Sequence, residues 1–118
     1  MMSLTINYDT FITLLLEAVS ELSIVYAEHI DDYDELIEHV FIGEVTRFSE
    51  RLYAGDPNSV VLKRLLDFIG CAFAADDEKL KELISVSFLE NLSRDGDSFE
   101  GIRVLLSAKL SEELSKYD

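Results

Sequence analysis

The chain has 118 residues, 48% of them apolar, which suits one domain with an ordinary hydrophobic core and argues against disorder. Its 24 acidic and 10 basic side chains give a formal net charge of −14. That balance excludes the basic stripe that nucleic-acid binders need, and an anionic membrane surface would repel the chain. Five Gly and a single Pro favour helices over a strand-rich fold with many tight turns.

Apolar side chains recur at helical spacing in five segments, which predicts an all-α domain over residues 1–118. The predicted helices cover residues 8–20, 33–54, 59–74, 78–91 and 99–115. Residues 23–33 are ambiguous, because Ile24, Val25 and Tyr26 are also typical of a short strand. No partner strand is evident nearby, so we favour a helical or irregular segment there.

Polar residues at the predicted boundaries supply candidate helix caps. The N-cap candidates, in chain order, are Asn7 or Asp9, Asn58 or Ser59, Asp76 or Asp77, and Ser98. Gly55 suits the C′ position after the second helix. Because the predicted links are short, neighbouring helices should run antiparallel. We expect a compact bundle or a short HEAT-like stack of about five helices.

The single cysteine, Cys71, excludes an internal disulfide. It lies in the apolar run 65–73, which predicts a buried free thiol. The first seven residues lack the basic region of a signal peptide, and the apolar runs are too short to span a bilayer. We therefore expect a cytoplasmic protein.

Both histidines lie among carboxylates, and this raises the question of metal binding or catalysis. Glu35 and His39 are four residues apart, so on one helix they would share a face and offer two metal ligands. However, there is no HExxH pattern, no Walker motif and no nucleophile elbow. We expect no metal, no cofactor and no enzymatic activity, with the acidic side chains solvated and His39 near a helix contact.

The most unusual segment runs from Glu28 to Glu44, with seven carboxylates and no Lys or Arg. Residues 1–54 hold 11 acidic and 2 basic side chains, whereas residues 55–118 hold 13 and 8. The net charges are therefore −9 and −5, so the charge is concentrated in the first half. Acidic groups beside tyrosines are typical of a surface that meets a basic partner. The predicted partner-binding residues are Asp31, Asp32, Tyr33, Asp34, Glu35 and Glu38.

Three sequence stretches carry a resemblance to known proteins. They are EHIDDYDELIEHVFIGEVTRF at 28–48, LLDFIGCAFAADDEKLKELISVSFLENL at 65–92 and, within it, VSFLENL at 86–92. Together they resemble a family of small acidic all-helical bacterial proteins of unknown function, similar to immunity proteins of interbacterial competition. The resemblance implies a shared helical fold and a toxin-binding role, and it implies no catalytic residues.

Charge and resemblance lead to one expected function. The chain would be an immunity protein that binds and occludes a cationic toxin domain, with a nuclease as one candidate, because acidic side chains can imitate a phosphate backbone. Charge would set the association rate, and a few desolvated side chains would set the affinity. The alternative is a self-associating helical adaptor with no catalytic role, whose contacts would be apolar and largely insensitive to salt.

Overall fold

Seven α-helices and no strand are present in the computed structural model, which describes residues 5–117. The helices are α1 Phe11–Ala18, α2 Ser23–Tyr33, α3 Glu38–Gly55, α4 Val60–Phe73, α5 Glu78–Leu83, α6 Ser98–Leu105 and α7 Ala108–Ser115. A 3-10 turn, Ser20–Leu22, leads into α2, and a π-helical segment, Ile84–Leu89, continues α5. The all-α prediction is confirmed. The principal extents, 36 × 31 × 26 Å, are nearly equal, so the compact bundle describes the fold better than a stack.

One cluster of buried side chains joins all of these helices. Its largest fully buried members are Phe11, Phe41 and Phe88, which come from α1, α3 and the π-helical segment. Apolar burial of this kind is the main term that holds a small helical domain together. Helix α3 lies at the centre of the bundle and packs against α2, α4, α6 and the π-helical segment.

The start of α3 differs from the prediction. The predicted helix 33–54 begins only at Glu38, and the ambiguous segment 23–33 is the α-helix α2. The cause is Asp34, which adopts a left-handed conformation with φ 61° while its N–H donates to the carbonyl of Ile30 at 2.8 Å. A left-handed residue at this position ends a helix.

Two of the predicted N-caps, Ser59 and Asp77, are confirmed, because each side chain accepts a hydrogen bond from a backbone N–H in the first turn of its helix. Ser59 Oγ accepts from Leu62 N at 3.1 Å, and Asp77 Oδ1 accepts from Leu80 N at 3.1 Å. At α1 the N-cap position is taken by Thr10, which makes no side-chain cap bond. Asn7 instead accepts from the Thr10 N–H in the turn before that helix.

Two other boundary predictions are wrong. Gly55 is the last residue of α3 rather than a left-handed C′ residue, and Ser98 is the first residue of α6 rather than its cap. The predicted helix 99–115 is split at Leu106, whose ψ of 150° is extended. Ser107 then starts α7 by accepting from Leu110 N at 3.3 Å. A new cap thus redirects the chain where apolar periodicity alone indicates one continuous helix.

Cys71 is exposed, so the prediction of a buried thiol is wrong. It lies four residues after Asp67 and seven after Arg64, and all three belong to the solvent face of α4. The helical period therefore places Cys71 among polar residues, although its neighbours in sequence are apolar.

Asp77 joins the N-terminal segment to α5. In addition to its cap bond, its Oδ2 accepts from Tyr8 N at 2.8 Å. The Tyr8 N–H and then the Leu80 N–H hold the pKa of Asp77 below its ordinary value. Since the folded state lowers this pKa, the carboxylate stabilises the fold above its unfolded pKa, and the contribution is lost as the pH falls through the folded pKa.

We therefore expect Asp77→Asn to destabilise the protein at neutral pH, because the amide NH2 replaces one of the two oxygens that accept from Tyr8 N and Leu80 N. The free energy of unfolding of the wild type should fall toward that of the variant as the pH is lowered below about 4. Urea unfolding between neutral and acidic pH measures this, with Asp76→Asn at the exposed neighbouring position as the control. Parallel pH curves for the wild type and Asp77→Asn would contradict the assignment.

Candidate functional site

The predicted binding residues form the surface where α2 ends and α3 begins. We define the acidic face as Asp31, Asp32, Tyr33, Asp34, Glu35 and Glu38. The first five are exposed, and Tyr33 retains 44% of its accessible surface. Asp31, Asp32 and Tyr33 lie in the last turn of α2, whereas Asp34 and Glu35 lie in the link to α3. The structure therefore brings these five residues together at one exposed end.

Glu38 differs from the rest of the acidic face. It is half-buried in the first turn of α3, where a negative charge suits the positive end of the helix dipole. Burial first, and then the charge of Glu38, raise the pKa of Tyr8 above its ordinary value. Glu38 therefore lies close enough to the N-terminal segment for its charge to act on Tyr8.

In the described part of the chain, no cationic side chain forms an ion pair with a carboxylate of the acidic face. Within residues 5–117 every ion pair uses a carboxylate outside the face, as in Arg64 with Glu21 and Lys116 with Glu113. Asp31 and Asp32 also lie at the carbonyl end of α2, where the helix dipole is negative and the last turn holds no basic residue. The electrostatic energy of this surface is therefore raised in two ways: its carboxylates repel one another, and the dipole of α2 opposes Asp31 and Asp32.

His29 lies buried below the acidic face and forms hydrogen bonds that connect α2 to α3 and to the link between them. The ring is buried, and its Nδ1 lies 2.9 Å from Glu44 Oε1 on α3. The Ile37 N–H donates to Nε2 at 3.0 Å, so the ring proton resides on Nδ1 and is donated to Glu44. One imidazole thus connects α2, the link and α3.

Aromatic packing completes the surroundings of His29. The ring centroid of Tyr33 lies 4.8 Å from that of His29, and Phe41 lies 5.6 Å away on the other helix. One side of the Tyr33 ring is therefore supported while nearly half of the side chain stays exposed. A supported, exposed tyrosine loses little rotamer entropy on binding, which suits an anchor residue in an interface.

The two histidines occupy unlike surroundings, although the sequence places both among carboxylates. His39 is exposed on α3, with its Nδ1 2.5 Å from the Ser87 hydroxyl of the π-helical segment. Glu35 lies in the link before α3, so it does not share a helix face with His39, and that interpretation is wrong. Among the residues from 5 to 117, no three His, Cys, Asp or Glu side chains are grouped to hold a metal ion.

A small cavity of about 230 Å³ adjoins the acidic face between α2 and α3. Glu28 and Asp32 of α2 line one side, and Arg47 and Arg51 of α3 line the other. Arg47 is already paired with Glu50 and with the Asn91 carbonyl. The two arginines mark where the acidic surface ends.

No helix in the described part of the chain is long and apolar enough to cross a membrane.

Fold and site together define a strongly acidic all-α domain. A family model described as a domain of unknown function, DUF7674, matches residues 12–118, so the chain belongs to that family. No curated protein and no solved structure matches the chain.

Replacing His29 by Phe tests the role of the imidazole. The substitution keeps an aromatic ring against Tyr33 and Phe41, but leaves the Ile37 N–H and Glu44 without their partner. We expect a loss of about 1–3 kcal/mol in the free energy of unfolding, measured by urea denaturation. Glu44→Gln is the control, because its amide oxygen can still accept from Nδ1–H. Equal stability of His29→Phe and wild type would show that the two bonds contribute nothing.

Proposed function

We propose that this chain is a non-enzymatic binding protein whose acidic face occludes a cationic protein partner. In its most specific form, the chain is an immunity protein that neutralises a basic toxin domain in the cytoplasm. The sequence resemblance described above supports the immunity role, and the geometry of the acidic face supports the choice of partner charge.

One observation carries the proposal: exposed carboxylates are concentrated where they disfavour folding. Asp31 and Asp32 oppose the dipole of α2, each at a cost of about 0.3–1 kcal/mol. Asp34 holds a left-handed conformation that glycine adopts without steric cost. Local choices that oppose stability are expected at functional sites, where binding compensates for them.

The charge of the chain suits fast recognition of a basic surface. A net charge of −14 produces a long-range attraction that raises association rates and weakens as salt is added. A standard interface buries about 800 Å² on each partner. The acidic face therefore supplies the centre of such a contact rather than its full area, with Tyr33 as the anchor side chain.

The conformation of Asp34 gives a stability prediction. Asp34→Gly should raise the free energy of unfolding by about 1 kcal/mol, because glycine accepts a left-handed conformation without the Cβ clash. Glu35→Gly is the matched control. It lies one residue further in the same link without a positive φ, so glycine there should destabilise the fold. Thermal unfolding measures both, and a lower midpoint for Asp34→Gly would contradict the strain at this position.

Charge reversal tests binding. The tagged chain is co-purified with the protein encoded by the adjacent gene, and the association rate is measured at low and high salt. Asp34→Lys with Glu35→Lys changes the net charge by +4, and so does the control, Asp95→Lys with Asp97→Lys, in the exposed 94–97 loop. We expect the face variant to associate about tenfold more slowly at low salt and the control to change little.

Three results would contradict the proposal. Equal rates for the two double variants would show that net charge, and not this face, governs binding. A captured partner with an acidic surface would exclude the electrostatic mechanism. A stable homo-oligomer by light scattering, with no partner captured, would favour the self-associating adaptor instead.

A further inference from the structure

Two exposed valines from distant parts of the sequence line one groove between α3 and the π-helical segment. Val40 of α3 is 37% exposed and Val86 of the π-helical segment is 42% exposed. The groove between them has a volume of about 600 Å³ and is also lined by Gly43 and Glu90. Large exposed apolar side chains that converge on one concave surface are characteristic of binding grooves.

Hydrogen bonds between α3 and the segment that follows α5 fix the groove. His39 bonds to Ser87, and Arg47 donates to the carbonyl of Asn91. Between these two cross-links lies Gly43, which has no side chain to fill the space. A Cβ at Gly43 would lie 3.4 Å from Asn91 Nδ2, in ordinary van der Waals contact. The groove is therefore held open by its walls rather than by a backbone that needs glycine.

The π-helical backbone of one wall is a second feature of this groove. The wider turn of a π-helix changes which N–H group each backbone carbonyl accepts from. Two carbonyls of this segment accept hydrogen bonds from side chains. The buried Thr46 hydroxyl lies 3.2 Å from the Phe88 carbonyl, and Asn91 Nδ2 donates to the Ser87 carbonyl at 2.7 Å. Short π-helical segments occur frequently at functional sites.

We infer that this groove receives an apolar side chain from an amphipathic helix of the partner, one whose flanking residues are Lys or Arg. The inference rests on the proposed function and names the partner segment that the same binding surface would take. Glu90 places a carboxylate in the lining of the groove itself, and the acidic face ends at Glu38, the first residue of the helix that forms the other wall. A groove that combines two apolar side chains with a carboxylate, on a chain of net charge −14, is complementary to an apolar stripe bordered by cations.

Charge selects this occupant over a second copy of the chain. Two copies would each carry a net charge of −14, and pairing their grooves would bring like charges together. A basic helix gains from the same charges. It would also supply contact area that the acidic face lacks by itself.

The test uses two synthetic helical peptides of equal length and equal positive charge. One carries leucines on a single face between lysines, and in the other each leucine is replaced by glutamine. We expect the leucine peptide to bind the wild-type chain about tenfold more tightly by fluorescence anisotropy, because a buried leucine side chain leaves water. Val40→Thr with Val86→Thr should remove that difference, since threonine keeps the shape but adds a hydroxyl.

The control variant is Val60→Thr with Val104→Thr. These two valines are 73% and 74% exposed and line none of the cavities described here. The control should retain the full preference for the leucine peptide. Circular dichroism and the thermal midpoint establish that both double variants are folded before their affinities are compared.

The failures of the two proposals are distinguishable. If both peptides bind equally and Asp34→Lys with Glu35→Lys weakens both, the acidic face stands and the groove inference is wrong. If neither peptide binds, the groove inference is wrong, and the proposed function is decided by the association rates of the charge-reversal variants. A preference for leucine that survives Val40→Thr with Val86→Thr also overturns the groove inference. So does a wild-type dimer in sedimentation equilibrium that this variant dissociates, because the occupant would then be a second copy.

Discussion

The imidazole of His29 is the connection on which the geometry of the acidic face depends. It donates to Glu44 on α3 and accepts from the Ile37 N–H in the link, while its ring packs between Tyr33 and Phe41. A buried polar group with both nitrogens paired defines a position more narrowly than apolar packing alone. Helix α2 ends at Tyr33 and α3 begins at Glu38, so α2 and α3 do not form one continuous helix. The carboxylates of Asp34 and Glu35 lie exposed in the link between them.

Departures from the most stable local structure occur at two places in this fold. Asp31 and Asp32 oppose the dipole of α2, and Asp34 is left-handed. The π-helical segment replaces regular α-helix on the neighbouring wall of the groove. Elsewhere the local rules hold, as at the capped starts of α4 and α5. The well-packed core provides the stability that offsets the local costs of these departures.

The sequence predicts what depends on local chemistry. Helical periodicity locates most of the core, and the caps at Ser59 and Asp77 follow from residue type. The acidic face is also predictable, because its five exposed residues are consecutive and proximity in sequence ensures proximity in space. The break at Asp34 is not predictable in this way, since the link that follows it is held by a tertiary hydrogen bond, which the Ile37 N–H donates to His29 eight residues away. The groove cannot be predicted from the sequence either, because Val40 and Val86 are far apart in the chain and are brought together only by tertiary packing.

We propose that the surface from the end of α2 to the start of α3 contacts a cationic protein partner. Hydrogen exchange of the chain, free and in complex with the protein encoded by the adjacent gene, tests this most directly. We expect slower exchange on binding for the amides of the 31–40 region, and no change in the 94–97 loop, which is also acidic and exposed. Protection confined to other surfaces, with residues 31–40 exchanging at the rate of the free chain, would contradict the claim.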